Sequence, residues 1–190
     1  MYFLIAGAVL FFGTHLYSSF RTRMPGRDIR VRMGTMKYMG LYSVISGLGF
    51  ALMIWGYGLA RPSALVYTPP EWGVHVAMAL MLPALILLMA AYVPHSYIKQ
   101  AVKHPMLMAI LLWSGGHLLA NGETNSLILF GSFLAYAIID RLAVSGRNLP
   151  VKKANIVGDL YAVIIGTAIY FLFVKNLHEL TIGVPVMGGS

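Results

Sequence analysis

Histidine is the residue type in this chain whose placement could carry chemistry. There are six histidines and no cysteine. Neutral imidazole is the commonest metal ligand. The lack of thiols excludes a disulfide framework, a zinc–thiolate site, an iron–sulfur cluster and a cysteine nucleophile. His15 and His117 lie well inside long apolar runs, where an ionisable side chain reads as functional. His75 and His178 lie near the outer ends of such runs, and His95 and His104 near the inner ends. At the rise of an α-helix, His15 is roughly 20 Å below the outer start of its run and His117 roughly 18 Å above the inner start of its own. In a slab of about 30 Å their heights differ by about 8 Å. Two facing imidazoles on different helices are how bundles hold a haem. The competing reading is a histidine hydrogen-bonded across helices for packing.

The surroundings of His117 suit a flat macrocycle. It closes the run Trp113-Ser114-Gly115-Gly116-His117. Trp113 shares its helix face at i, i+4. Gly115 and Gly116 remove side chains where a ring could lie, or else admit a neighbouring helix. The second nitrogen of each ligand should donate to a carbonyl or hydroxyl. Ser18 and Ser19 lie one turn from His15, and Asn121 one turn from His117. Carboxylates offer less. Asp140 and Asp159 fall at the inner ends of apolar runs, and Glu71 and Glu123 in outer connections. No buried carboxylate chain exists for a proton pump, an ion-coupled carrier or paired acid–base catalysis. Twelve methionines are scattered through the apolar runs and read as core filler. His104 precedes Pro105 and reads as a helix start.

The elements that position these residues are membrane spans. Of 190 residues, 58% are apolar and 11% charged, against about 25% charge in soluble domains. Crossing a bilayer takes about 20 mostly apolar residues. Six stretches qualify: 2–20, 38–59, 74–94, 105–122, 125–144 and 159–180. The first has no basic segment before it and reads as a retained span, not a signal peptide. The expected fold is an all-α bundle of six transmembrane helices, one domain over 1–190. Pro83 predicts a kink in the third span. Ser43, Gly47 and Ala51 recur every four positions and predict a close-packing face on the second. Trp55, Tyr57, Tyr67 and Trp72 read as an interfacial aromatic belt.

Basic residues set the orientation. Arg21, Arg23, Arg27, Arg30, Arg32 and Lys37 follow the first span, Lys99 and Lys103 the third, and Arg141, Arg147, Lys152 and Lys153 the fifth. Arg61 and Lys175 alone fall elsewhere. The odd connections therefore face the cytoplasm and both termini the periplasm. The net charge of +8 reads as topology plus attraction to anionic lipid, not as nucleic-acid binding.

Several segments carry a family resemblance: Leu41-Tyr42-Ser43, Trp55-Gly56-Tyr57-Gly58, Met81-Leu82-Pro83-Ala84, His104-Pro105-Met106-Leu107 and His117-Leu118-Leu119-Ala120-Asn121-Gly122. Leu129-Phe130-Gly131-Ser132-Phe133 and Ile182-Gly183-Val184-Pro185 complete the pattern. In this order, over nearly the whole chain, they resemble the NnrU family of bacterial membrane proteins. That family is associated with denitrification and with nitrite and nitric oxide metabolism. It is similar to the 15-cis-zeta-carotene isomerase, an integral membrane enzyme that holds haem b between two histidines. The resemblance places the isomerase's first ligand motif on His15, with Arg21 beyond it, and its second on Trp113 to His117. The cysteine of the isomerase motif, implicated in ligand exchange at the iron, is Ser114 here, and the residue after His15 is Leu16. A thiolate-exchange mechanism does not carry over.

These observations together lead us to expect an inner-membrane protein with one haem b and His15 and His117 as axial iron ligands. His75, His104 and His178 are the reserve ligands, and His75 with His178 offers a second haem site if the third and sixth spans are neighbours. Trp113, Ser114 and Gly116 would line the cofactor, and Arg21 and Arg23 would receive its propionates. The resemblance implies a redox-dependent isomerase acting on a lipid-soluble polyene. The alternatives are a non-catalytic haem protein, for electron transfer or as a nitric oxide-linked sensor or accessory factor, and a structural or transport accessory without cofactor. Expected partners are membrane lipid and an apolar small molecule or redox partner.

Overall fold

The computed structural model describes residues 1–146, 153–184 and 186. Arg147, Lys152 and Pro185, used above for orientation and resemblance, lie outside the described residues. Within them the chain is helical, with no β-strand and only two isolated bridges, Leu65 to Glu123 and Ser96 to Asn155. The helices are α1 (Tyr2–Phe20), α2 (Ile29–Met33), α3 (Thr35–Leu59), α4 (Gly73–Tyr92), α5 (Tyr97–Val102), α6 (Pro105–Ala120), α7 (Thr124–Val144), α8 (Ile156–Leu172) and α9 (His178–Ile182). A π-helical segment, Phe173–Leu177, joins α8 to α9.

Five of these helices are long and apolar enough to cross a membrane: α1, α3, α4, α7 and the continuous run Ile156–Ile182. The fourth expected span differs. It forms a helix of 16 residues, roughly 24 Å long, which ends at Ala120. The next residues leave the helix because their backbone groups pair elsewhere. Gly122 O accepts from Val66 N at 2.8 Å, and Thr124 N donates to Ala64 O at 2.9 Å. Pro105 opens α6 as expected. The assigned helix α4 continues on both sides of Pro83.

The chain divides into two compact units. The first comprises Met1–Thr68 and Asn121–Gly146, the second Pro69–Ala120 and the described residues from 153 onward. In the first unit α1 lies along α3, with α7 against both. Small residues set the α1–α3 seam, but not those the four-residue spacing selected. Ser43, Gly47 and Ala51 are exposed, and a Cβ on Gly47 would meet open space. The buried stripe is Ser46, Gly49, Met53 and Gly56. A Cβ on Gly49 would lie 2.6 Å from Phe11 N, and one on Gly56 would collide with the Leu4 backbone. Leu4 and Met53 are fully buried in this seam. A helix of this composition offers several small faces, and the position of its partner decides which one closes.

Two residues of the expected aromatic belt are tied into the first unit. Tyr57 OH and Ser126 Oγ are 3.0 Å apart, and Tyr67 OH donates to Asn121 O at 3.1 Å. Burial pushes the Tyr67 phenol above its ordinary value, and Glu123 adds to the rise. Trp55 and Trp72 are exposed, as membrane-interface residues are.

In the second unit α4 packs against both α6 and α8, so the helices over the expected third and sixth spans are neighbours. Gly116 of α6 faces Ala77 of α4, where a Cβ would come within 3.2 Å of Ala77 Cα. Gly166 of α8 meets the Ile86 backbone in the same manner. Ser96 caps α5, accepting from Lys99 N and donating to Asp159 Oδ1 at 2.7 Å. Asp159 thereby joins α5 to α8, and also accepts from Ile98 N. Asn155 caps the start of α8 through Gly158 N.

Candidate functional site

His15 and His117 belong to different units, and each is built by its own neighbours. His15 lies on α1, six residues before Arg21. Its Nδ1 is 2.7 Å from Phe11 O, one turn back. A carbonyl only accepts, so Nδ1 carries the proton, and in the neutral ring the lone pair falls on Nε2. The three long helices of the unit enclose the ring. Phe11 lies at 4.1 Å between centroids, Tyr42 of α3 at 5.2 Å and Tyr136 of α7 at 5.6 Å, edge-on. Tyr136 OH donates to Asp140 Oδ2 at 3.2 Å. Asp140 is buried, and its Oδ1 has no partner among the described residues.

Tyr42 also walls a cavity of about 380 Å³ between α1, α2 and α3, with Gly13, Thr14, Tyr17 and Tyr38 among its lining. That volume lies within the range of small-molecule sites, about 300–1,000 Å³. Arg21 forms an ion pair with Asp28 and lies over the ring of Tyr38, which also lines the cavity. Burial pushes the Asp28 carboxyl up. The hydrogen bonds from Arg21 and the Arg30 N–H, with the charges of Arg21 and Arg23, outweigh it and hold the group below its ordinary value. Arg21 is therefore already engaged by a carboxylate. Arg23 is exposed in the same connection.

His117 occupies the last turn of α6 and repeats the His15 arrangement. Its Nδ1 is 2.8 Å from Trp113 O, so its neutral form also carries the lone pair on Nε2. Trp113 packs beside it at 5.2 Å, as the i, i+4 spacing requires. For both rings the acceptor is the helix's own carbonyl, one of the two kinds of acceptor expected. Ser114 is fully buried, and its hydroxyl donates to Ile110 O at 2.6 Å. Gly116 is taken up by the α4 contact, while Gly115 faces open space.

The residue brought to His117 within its unit is His178. Their ring centroids are 6.5 Å apart and the planes 24° from parallel. His178 opens α9, just after the π-helical segment. Its Nδ1 lies 2.6 Å from Val184 O. Gly183, in the left-handed conformation at φ 77°, ends α9 and turns the chain back so that this carbonyl reaches the ring. His75 is exposed in the first turn of α4. His104 precedes α6, and its carbonyl accepts from Met108 N. His95 has a structural role, with its Nδ1 on Lys153 O and its carbonyl on Asn155 N, both at 2.7 Å. Among the described residues no three His, Asp or Glu side chains gather to hold a metal ion.

Sequence reasoning missed the Tyr42–Tyr136 setting of His15 and the His117–His178 approach. The i, i+4 spacing of Tyr136 and Asp140 was a readable signal for the first. Nothing local signals the second. A family model described as NnrU protein matches residues 3–186. No curated protein and no solved structure matches the chain.

Proposed function

Because the chain belongs to the NnrU family, we propose that it is a haem b protein of the bacterial inner membrane. In this reading six spans cross the bilayer, with α6 as the short one, and both termini are periplasmic. His15 and His117, the two histidines the sequence places at membrane depth, are the iron ligands. The observation that carries the reading is their shared ring state. Each donates Nδ1–H to the carbonyl four residues back, which fixes the ring and raises the basicity of Nε2, as in metal-bound histidines generally. Haem iron, when bound, supplies a one-electron couple and a Lewis-acid centre. The protein supplies the rest: Trp113 packs beside His117, and the cavity walled by Tyr42 offers an apolar space one ring away from His15. Part of an apolar substrate such as a 15-cis polyene, or of a lipid-soluble redox partner, would lie in that space in this reading. Arg21 and Arg23 are the proposed propionate partners.

One observation favours the non-catalytic reading, electron transfer or a nitric oxide-linked accessory role, over redox-dependent isomerisation. The residue at the place of the isomerase cysteine is Ser114, whose hydroxyl is bonded to the helix backbone. It offers the iron no thiolate. The test is pyridine-haemochrome quantification on the purified full chain. One haem b per chain is expected, and protein without haem refutes the reading. Carbon monoxide then separates the roles: a reduced spectrum that ignores it marks electron transfer, and one that shifts marks an open iron position.

A further inference from the structure

We infer that the cavity between α1, α2 and α3 is a site for the head group of a membrane quinone. The inference deepens the haem reading by naming its lipid-soluble redox partner, and it rests on that reading for the use of the site, not for the binding itself. Three observations select this class of ligand. The first is the charge of the walls. Among the described residues no charged side chain lines the cavity, so the site suits a neutral molecule. A phosphate or carboxylate head group would find no cation in these walls to offset its desolvation.

The second is the supply of hydrogen-bond donors. Tyr17, Tyr38 and Tyr42 all line the cavity. The Tyr38 hydroxyl is buried and has no partner among the described residues. No hydrogen bond ties the Tyr17 or Tyr42 hydroxyl to those residues either. Thr14 lines the same space, but its hydroxyl is engaged by Leu10 O at 2.6 Å. A phenol held in an apolar wall without an acceptor is costly. A hydrocarbon ligand would leave these donors unmatched, whereas a quinone brings two carbonyl oxygens that accept. The third is size and place. About 380 Å³ is near the small end of ligand sites, about 300–1,000 Å³, and suits one ring whose tail lies outside. Tyrosine rings offer faces and edges to a flat conjugated ring. Tyr42 packs on His15 at 5.2 Å between centroids, so the head group would lie one ring away from a proposed iron ligand. Leu41, an exposed part of the wall, leaves an apolar tail a way out to lipid.

The experiment measures decylubiquinone binding to the purified full chain in detergent, by photolabelling with an azido-quinone and displacement, with haem per chain measured separately. Label is expected on peptides of α1 to α3 and should be displaced by decylubiquinone. Tyr38→Phe and Tyr42→Phe keep the rings and remove one donor each, so at least one should weaken binding about fivefold. Gly13 also lines the cavity, and a Cβ there meets open space. Gly13→Leu should therefore fill the cavity and abolish displaceable labelling while keeping the thermal midpoint near wild type. The inference is overturned if wild-type protein takes no displaceable label, or takes it outside α1 to α3. It is equally overturned if both phenylalanine variants bind as wild type does, or if Gly13→Leu leaves the labelling unchanged. Displacement by an acyclic polyene or an anionic phospholipid as effective as that by decylubiquinone would reject the quinone. Any of these results on protein with one haem per chain leaves the haem reading standing. Displaceable label on protein without haem refutes that reading and upholds the site.

Discussion

Arg21 and Asp28 join the end of α1 to the start of α2 through an ion pair, and the same carboxylate caps α2 by accepting from Arg30 N at 3.0 Å. One side chain therefore anchors the short helix twice. Because the folded-state value of Asp28 is depressed, its contribution is complete above the ordinary carboxylate value of about 4 and is lost as pH falls through the lower folded value. The chain has no cysteine, so Val31→Cys offers a unique site for a spin label. The label should be immobile at neutral pH and loosen in acid below about pH 4. Asp28→Asn should leave it mobile throughout. Immobility in that variant would show that the pair does not hold α2.

The α1–α3 seam predicts a large effect from a small change. Gly56 lies against the Leu4 backbone, which cannot give way as a side chain tip can. Gly56→Leu should cost about 3 kcal/mol by overpacking, read as a lowered thermal midpoint in detergent. Gly47→Leu, on the same helix but facing open space, should change that midpoint little. Equal effects at both positions would contradict the seam.

Tyr136 and Asp140 are coupled in a buried setting. Removing the phenolic donor strips a buried carboxylate of its partner, so Tyr136→Phe should lose about 1–3 kcal/mol. Asp140→Asn combined with Tyr136→Phe should lose less than the two single changes summed. The double-mutant cycle in thermal or denaturant unfolding measures that difference, and strict additivity would mean the hydrogen bond carries no coupling.

Orientation has a direct check. A reporter that is active only in the periplasm should be active when fused after Ser190, and inactive when inserted beside Lys103. The reverse pattern would invert the proposed topology and exchange the faces assigned to Arg23 and His75.

The long apolar helices and their punctuation were legible because they depend on local quantities. Length and apolarity decide whether a run becomes a long helix, and Pro105 opens α6 because proline suits a first helical turn. The Nδ1 bonds of His15 and His117 are local as well, since both acceptors lie four residues back on the same helix. Which small face of α3 closes on α1 was not legible. Ser43–Gly47–Ala51 and Ser46–Gly49–Met53–Gly56 both satisfy helical spacing, and only the partner backbone chooses between them. The short end of α6 was hidden for a similar reason, because Gly122 is drawn out of the helix by Val66, far away in sequence. His178 is the sharpest case. Sequence placed it near the outer face with His75 as its companion, and its approach to His117 depends on a π turn, a left-handed glycine and the packing of α4 against both α6 and α8. Spacing along one chain encodes what a helix shows on its own surface; which surfaces meet is a property of the packed whole.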